Sequence, residues 1–571
     1  MKSKILLGCF VAAACLATSC NDFLTEDPKG QQVPENYFIS QDALDGSVYA
    51  LYERVNLTQG WTNMMYPQWQ GDDITANPGS NKQACAALDA FSASSDNKGV
   101  RDAWSAHYSV IKAANLIIAG AAQTPTSEEE INIALGQAKY WRAYCYYYLV
   151  RVFGPLPLIT KTDASGVDAQ LSSVDDIYKL IVQDLEDAKN TLPDSYDKAP
   201  RHNSGCDIYI TSQAAQATLA AVYMSMAGYP LNLGAEYYAK AAAEAKAVID
   251  KEADYGFFLE SEWNQVYSMG HNYNKATVVG IDNSPVNGSW DHDSQLTSCC
   301  RFEGLGDGGW GDAWGEIKFW QNYPDGPRKD AVYAPKVTFE DGDGNITRTV
   351  DWWEQEMVEG EMKPIVAANH PMFCVFTTNA DENGNEIAAP YDYTKRNYRG
   401  MTNGHRHRVI RYSEVLLWYA ESAARSGATD LTLARECLKR VHARACQDAD
   451  NISIPGVGTL PIASLNADQL AEAAYWEHGW EVAGYWCAMV TRRSDEFRMN
   501  RLKENFDYRV ANLPVEIVPG IQVKEQVTVV KNQWDGDNSI YVPYPDTEVD
   551  KNPNLRPYAP CRQPEHRLPV Q

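Results

Sequence analysis

The chain has 571 residues, a formal charge of −25 at pH 7 and an aromatic content of 11%. A strongly acidic chain without a basic stripe does not attract a polyanion, which argues against nucleic acid as a partner. Aromatic side chains in this number suit the recognition of a sugar or a peptide where they are exposed, although most of them belong in a core.

The first twenty residues have the features of a bacterial lipoprotein signal. Lys2 and Lys4 precede an apolar run, residues 5–16, that is too short to span a bilayer as a helix. Leu16 and three small residues then stand directly before Cys20, an arrangement that resembles a lipobox, in which the cysteine thiol is alkylated by a diacylglycerol. We therefore expect residues 1–19 to be removed and Cys20 to carry lipid. The alternative is an ordinary signal that is cleaved nearby.

Helix signals dominate two regions, about residues 40–254 and 406–500. In both regions, residues of the types that commonly cap helices precede apolar residues at helical spacing. The capping residues are Ser127, Ser173, Thr211, Asp430 and Asn466. The pattern also predicts a helix from Val409 to Ser426 and a last long helix from Asn466 to about Arg492. Pairs of helices with short turns predict a mainly α fold, a helical-hairpin scaffold of the tetratricopeptide type, although the consensus of that repeat is not legible.

Residues about 255–405 are different, because they are rich in Gly, Asp, Asn, Pro and Trp and show little periodicity. We interpret them as a long, irregular, loop-rich insertion, and such insertions usually carry function. Two stretches within it, residues 340–345 and 381–385, have the composition of β-hairpin tips. We expect residues about 501–571 to form an extended C-terminal tail.

The sequence shows no recognisable catalytic set and predicts no metal site and no cofactor. Residues 306–311 read G-x-G-x-x-G, but the strand and the βαβ context of a dinucleotide site are missing. His405 and His407 could place two imidazoles on one side of a strand or turn, as a metal site does. A run of alternating His and Arg such as residues 405–408 is more often the solvated entry to a helix. The adjacent Asp72 and Asp73 could serve a glycosidase only at a suitable carboxyl separation, which a sequence does not give.

The cysteines do not follow the spacing of a zinc site, and we expect no disulfide framework. Cys145, Cys437 and Cys487 lie within helical patterns. A thiol in such a position packs as a small core residue.

Short motifs occur in a characteristic order from about residue 20 to residue 560. They are Asn21 to Pro28; Trp104, Tyr108, Ile111, Ala114 and Asn115; Ala138 to Tyr144; Leu149 to Leu158; Asp184, Leu185, Ala188, Leu192 and Pro193; Arg411 to Glu421; Val441 to Ala445; and Pro543 to Leu555. This set resembles the SusD/RagB family. The last long helix departs from the family pattern, since the stretch from Tyr475 to Trp486 lacks or replaces the arginines that family members bury there.

The resemblance implies a surface-exposed lipoprotein of the cell outer membrane that is similar to a hinged lid over a SusC-like TonB-dependent barrel. Such a protein binds an oligomeric nutrient and is not an enzyme. In the glycan binders of the family, an arc of aromatic side chains stacks against sugar rings while Asp, Asn and Arg side chains bind the hydroxyls. A glycan is the leading hypothesis for the ligand. A peptide, as in RagB-type systems, is the alternative, and a surface glycosidase is a third hypothesis.

The candidate ligand-binding residues follow from the regions whose loops face the ligand in the family. In the first long loop they are Trp61, Trp69, Asp72, Asp73 and Asn77, and in the insertion they are Trp290, Trp310, Trp314 and Trp320. Any one of these tryptophans could instead pack against the helical core.

Overall fold

Helices dominate the computed structural model, as the sequence predicts. The structure describes residues 37–60, 66–79, 82–162, 166–197, 202, 208–283, 294–296, 299, 310–334, 336–341, 345–376, 379–380, 386–387, 404–527 and 529–558. Its α-helices are α1 (Gln41–Thr58), α2 (Gln83–Asp89), α3 (Lys98–Gly120), α4 (Glu128–Phe153), α5 (Val174–Thr191), α6 (Ser212–Ala227), α7 (Ala235–Ile249), α8 (Glu252–Tyr255), α9 (Ile317–Asn322), α10 (Pro327–Val332), α11 (Tyr412–Arg425), α12 (Thr432–Ala445), α13 (Ala467–Glu481), α14 (Arg492–Arg498), α15 (Leu502–Ala511), α16 (Asp537–Ile540) and α17 (Asp546–Lys551). Within this described part, no helix is both long enough and apolar enough to cross a membrane.

The long helices pack in the order of the chain. Helices α3 to α7 each contact the next one, α1 packs on α3, and α7 contacts α11, which in turn packs against α12 and α13. This succession confirms the predicted mainly α fold with a scaffold of helical hairpins.

Local capping explains where several of these helices begin. The side chains of Ser127, Ser173 and Thr211 accept hydrogen bonds from backbone amides in the first turns of α4, α5 and α6. Each bond satisfies an amide that has no partner within its helix. Helix α4 ends at Phe153, and the φ of 77° at the following Gly154 lies in the region that glycine adopts without strain.

One arginine joins three helices of the scaffold. Arg142 of α4 donates from Nε and Nη2 to the two carboxylate oxygens of Asp184 in α5, each at 2.8 Å. Its Nη1 donates to Asn115 Oδ1 in α3, also at 2.8 Å. Arg142 and Asp184 are buried, and a buried pair is favourable only with such complete bonding. The bonds therefore fix how α3, α4 and α5 sit against one another.

The strands pair two by two and are always antiparallel. They are β1 (Ile74–Ala76), β2 (Leu156–Pro157), β3 (Leu171–Ser172), β4 (Thr277–Ile281), β5 (Ala313–Gly315), β6 (Val337–Glu340), β7 (Ile346–Val350), β8 (Gln355–Val358), β9 (Glu361–Pro364), β10 (Asn379–Ala380), β11 (Glu386–Ile387), β12 (His407–Arg411), β13 (Asn451–Ile454), β14 (Gly458–Pro461), β15 (Val515–Val518) and β16 (Ile521–Val523). The pairs β6–β7 and β10–β11 flank the two stretches that the sequence marks as hairpin tips. The pairs β1–β5 and β12–β4 instead join distant parts of the chain.

Two predicted helix boundaries are wrong, and tertiary contacts explain both. The helix predicted from Val409 begins only at Tyr412, because residues 407–411 form β12 and pair with β4. The helix predicted to reach Arg492 ends at Glu481. Beyond it, the backbone amide of Gly484 donates to Asp73 Oδ2 at 2.6 Å, and a non-helical segment leads to α14.

These changes correct two further expectations. Cys487 lies in the non-helical segment between α13 and α14, whereas Cys145 and Cys437 are buried in helices as expected. The tail beyond residue 500 is not simply extended, because it contains α15 and the β15–β16 pair.

A buried network of charges joins the insertion to the scaffold. Arg328 of α10 donates from Nη1 to Glu477 Oε1 and to Glu481 Oε2 of α13, both at 2.8 Å, and all three side chains are fully buried. Arg411 of β12 donates from Nη1 to Glu481 Oε1 at 2.7 Å, and Arg444 of α12 also bonds Glu481. Two carboxylates on one buried helix are thus compensated by cations from three other elements.

Replacing Arg328 with Met should destabilise the fold strongly, because both buried carboxylates lose their shared cation. Loss of one partner of a buried ion pair typically lowers the free energy of unfolding by about 3–5 kcal/mol. Urea denaturation followed by circular dichroism measures the loss.

Arg348→Met is the matched control for this prediction. Arg348 pairs with Glu356 at 2.7 Å, but both side chains are exposed. Its removal should therefore cost less than about 1 kcal/mol. Equal losses in the two variants would contradict the role assigned to Arg328.

Candidate ligand-binding face

Strands β1 and β5 bring the first long loop and the insertion side by side. Thr75 lies opposite Trp314 in the pair, and the amide of Asn77 donates to the carbonyl of Asp312 at 2.9 Å. The two regions that the resemblance selects are therefore neighbours in the fold, although they are far apart in sequence.

Polar side chains hold the segment that follows β4 against the end of α1. Asn56 donates from Nδ2 to the carbonyl of Asp282 at 2.6 Å and to Asn283 Oδ1 at 3.0 Å. Asn283 in turn donates from Nδ2 to the carbonyl of His405 at 2.6 Å. Backbone segments on either side of residues 284–403 thus meet beside the segment that leads into the first long loop.

His407 makes a second connection between the same segments. Its Nε2 lies 2.9 Å from Ser294 Oγ, and its Nδ1 lies 3.3 Å from Gln59 Oε1. Burial, together with the charge of Arg408, lowers the pKa of His407 to about 3. The neutral ring therefore accepts from Ser294 and donates to Gln59. Both ring nitrogens of His407 therefore already have hydrogen-bond partners, so the ring is not available to a metal. Residues 405–408 are buried and lead into strand β12, whereas the sequence favours a solvated entry to a helix.

Asp312 connects three backbone segments. Its amide donates to the carbonyl of Cys299 at 2.8 Å, its carbonyl accepts from Asn77, and its carboxylate pairs with the buried Lys82. We call the described residues at this convergence the loop-stem face: Gln59, Asn77, Asn283, Ser294, Trp310, Asp312 and His405. No local pattern marks Asp312 as part of this face, because its partners Asn77 and Lys82 come from a distant segment.

The predicted ligand-binding residues have different environments in the structure. Asn77 and Trp310 are half-buried and lie on the loop-stem face. Cys20, Trp61 and Trp290 lie outside the described residues. For all of these, the proposed role stays a prediction.

Two of the predicted tryptophans lie in the core. Trp69 is 0% exposed and Trp314 is 4% exposed, so neither ring offers a face to a ligand. Trp314 packs with Ile317 and Val350, and Trp320 is half-buried against Trp352. This burial favours the alternative that Trp69 and Trp314 pack in the core. The surrounding glycines and acids predict exposure, but the pairing of β1 with β5 buries Trp314.

The two predicted aspartates have different hydrogen-bond partners. Asp73 is buried, and burial, opposed by the hydrogen bond from Gly484, raises its pKa to about 7. Asp72 instead accepts from Arg492 Nε at 2.6 Å and from Nη2 at 3.1 Å. Both residues lie at the end of β1 that is remote from the loop-stem face.

One group of side chains has the proximity of metal ligands. His442, Cys446 and Glu477 lie within 4.8 Å of one another. However, His442 Nδ1 lies 2.7 Å from Glu477, and its Nε2 lies 3.1 Å from each of two carbonyl oxygens. All of these partners accept, so both ring nitrogens carry protons. Burial alone would lower the pKa of His442, but Glu477 raises it to about 10. The group therefore fits an ion pair rather than a metal site.

Two family models match the chain, one in its N-terminal half and one from the last part of the insertion onward. A SusD-like model, described as "Starch-binding associating with outer membrane", matches residues 22–224, and a model of the SusD family matches residues 377–559. A SusD-like protein from Bacteroides ovatus is 26% identical over 362 residues, which is 59% of this chain and 61% of that protein. SusD-like protein P2 from Formosa agariphila is 28% identical over 265 residues, 45% of this chain and 48% of that protein. These alignments span less than two thirds of each relative.

Solved structures share the fold over most of the chain. A SusD homologue from Bacteroides thetaiotaomicron has a TM-score of 0.71 at 18% identity and covers 91% of this chain and 97% of its own. A laminarin-binding SusD-like protein has a TM-score of 0.65 at 18% identity, with 90% and 98% covered. Surface glycan-binding protein A from Bacteroides uniformis has a TM-score of 0.59 at 18% identity, with 90% and 98% covered. At such identities the likeness concerns the fold alone. The matches to the two family models, which together cover more than half of the chain, show that the chain belongs to the SusD/RagB family.

Proposed function

We propose that this protein is a lipid-anchored lipoprotein of the outer membrane that binds an oligosaccharide at the cell surface. As a lid, it passes that ligand to a SusC-like TonB-dependent barrel. The observation that carries the proposal is a fold shared over about 90% of the chain with proteins described as a laminarin-binding SusD-like protein and a surface glycan-binding protein. A third similar structure is described as a crystal structure with xylogluco-oligosaccharide.

The loop-stem face supports a sugar as the ligand. Trp310 is only partly buried, and a tryptophan ring can stack against the C–H face of a sugar. Amide groups such as that of Asn77 lie nearby, and amides both donate to and accept from hydroxyls. An apolar ring beside a few polar groups is the usual composition of a sugar-binding surface.

The same face supports binding without catalysis. A glycosidase generally needs two carboxyl groups that flank the scissile bond. The described carboxylates near the face are already paired, Asp312 with Lys82 and Asp282 with Arg406. We therefore propose that the ligand is bound and released without being cut.

Replacing Trp310 with Ala should weaken ligand binding, whereas replacing Trp314 with Ala should mainly destabilise the protein. A stacking ring at the centre of a binding surface is commonly worth about 1–3 kcal/mol, so the Kd of Trp310→Ala should rise about tenfold. Truncation of a buried tryptophan should lower the free energy of unfolding by about 3–5 kcal/mol. Isothermal titration calorimetry with laminarin and xyloglucan oligosaccharides measures the first effect, and urea denaturation measures the second.

The binding assay also separates the alternatives. Binding of peptides but not of oligosaccharides would favour a peptide-binding lid. Shorter sugar products, detected by chromatography after incubation, would show a glycosidase. Unchanged oligosaccharide binding in Trp310→Ala would remove the argument for that ring.

Replacing Cys20 with Ala should release the protein from the membrane, since the thiol of Cys20 is the proposed attachment point of the lipid. Cells grown with radiolabelled palmitate should then give an unlabelled protein that is absent from the outer-membrane fraction. Cys145→Ala is the control, because Cys145 is buried in α4 and should leave labelling unchanged. Full labelling of Cys20→Ala would disprove the anchor.

A tagged copy extracted gently from native membranes should co-purify with a large β-barrel protein in near-equal amounts. A lid must cover the rim of a barrel, so we expect an interface larger than the standard value of about 1,600 Å². An interface of this size should survive mild detergent, and mass spectrometry of the eluate identifies the partner. Recovery of a monomer from membranes that contain the barrel would favour a free-standing surface binder.

A further inference from the structure

A cavity of about 400 Å³ lies away from the loop-stem face. Residues of α9, α13, α14 and α15 line it, and so does Asp72. Asp72 of the cavity precedes β1, and Asn77 of the loop-stem face follows it. The three residues of this strand, which span about 10 Å, therefore separate the cavity from that face. The cavity meets solvent at a rim where the side chains of Lys318 and Glu504 are exposed. Its volume falls in the range of small-molecule sites.

The buried charges in the wall are compensated within the protein. Arg492 binds both oxygens of Asp72, and Glu316 accepts from Arg509 Nε at 3.0 Å. Arg501 binds both oxygens of Glu472, at 2.7 and 3.0 Å. A charged ligand would therefore lose its hydration without meeting an unpaired counter-charge in the buried part of the wall, since the charges of Lys318 and Glu504 stay hydrated at the rim.

Glu496 is the exception. The one described hydrogen bond to its side chain comes from the backbone amide of Asp72, which donates to Glu496 Oε2 at 3.1 Å. Burial, reinforced by the charge of Asp72, raises the pKa of Glu496 well above its usual range. A carboxyl group that keeps its proton both donates and accepts. The wall therefore favours a neutral ligand.

Polar atoms of the lining residues also lack partners. Arg492 Nη1, Asn505 Oδ1 and Tyr508 Oη are buried and have no hydrogen-bond partner among the described residues. Buried polar groups without partners are costly, and most of them bond to water or to a ligand. One of these atoms is a donor, one is an acceptor and the tyrosine hydroxyl is both. Each of these atoms exposes almost no surface, so a ligand hydroxyl satisfies it only where a side chain of the wall moves aside.

Aromatic rings complete the lining. Trp476 and Tyr508 are half-buried and contribute apolar surface to the same cavity. On one side of Trp476 the guanidinium carbon of Arg492 lies 4.3 Å from the ring centroid. An aromatic surface beside paired donors and acceptors suits a molecule that has C–H faces and several hydroxyls.

We propose that this cavity is a second binding site, separate from the loop-stem face, for a neutral polyhydroxylated molecule of the size of a mono- or disaccharide. The proposal goes beyond the delivery of an oligosaccharide. It depends on the chemistry of the cavity and not on a barrel partner.

Saturation-transfer NMR of the purified mature chain with glucose, galactose and cellobiose as neutral probes tests the proposal. Glucosamine and glucuronate serve as the cationic and anionic probes. At least one neutral sugar should bind, and both charged sugars should bind more weakly. Binding of a charged probe alone would overturn the proposal, and so would binding of no neutral probe.

Two tryptophan variants locate the binding. Glu504→Trp places a large ring at the rim of the cavity and should weaken binding of the neutral sugar at least about tenfold. Lys503→Trp is the matched control, because Lys503 is also exposed on α15 but lies outside the lining. Equal binding by the two variants would overturn the proposal, and so would a crystal soaked with the bound sugar that showed only water in the cavity.

A tyrosine variant tests the hydrogen bonding, and a loop-face variant separates this proposal from the proposed function. Tyr508→Phe removes a hydroxyl without a described partner, so binding should weaken several-fold while thermal stability is kept. Full binding by Tyr508→Phe would remove that hydroxyl from the site. Trp310→Ala should leave binding of the small sugar unchanged, and Glu504→Trp should leave binding of long oligosaccharides unchanged. Each proposal can therefore fail alone.

Discussion

The compensation of two buried carboxylates on α13 is the constraint on which the rest of the structure depends. Glu477 and Glu481 are fully buried, and each would be strongly unfavourable without a cation. Arg328 is bonded to both of them and comes from the insertion. The remaining cations come from β12 and α12. The insertion is therefore not an appendage of the helical scaffold, because it supplies the cation that bonds both buried acids.

This network also positions the loop-stem face. Arg411 bonds Glu481 at the end of β12, and His407 lies at the beginning of the same strand. Strand β12 pairs with β4, which leads directly into Asp282 and Asn283. The contacts of His407 and Asn283 are thus held by a short strand pair that is fixed to α13 through an ion pair. Because two short strands have little stability alone, the buried charges give this face much of its rigidity.

The sequence predicts local features well and distant ones poorly. Ser127 and Thr211 mark helix starts because a cap depends only on the next three residues. The early end of α13 could not be predicted, since it depends on the bond between Gly484 and the distant Asp73. For the site, the resemblance selected two regions that the structure does bring together. It could not separate the half-exposed Trp310 from the buried Trp314, because that difference arises from the pairing of β1 with β5.

The departure of α13 from the family pattern has a physical explanation. A buried ionic network requires that charges be compensated, and it does not require a particular helix to carry a particular sign. Here the acids lie on α13, and Arg328, Arg411 and Arg444 reach it from other elements. Further buried arginines follow in α14, where Arg492 binds Asp72 and Arg493 donates to backbone carbonyls. The same architecture is therefore kept with the charges redistributed along the chain, which is why the motif can change in a protein that retains the fold of its family.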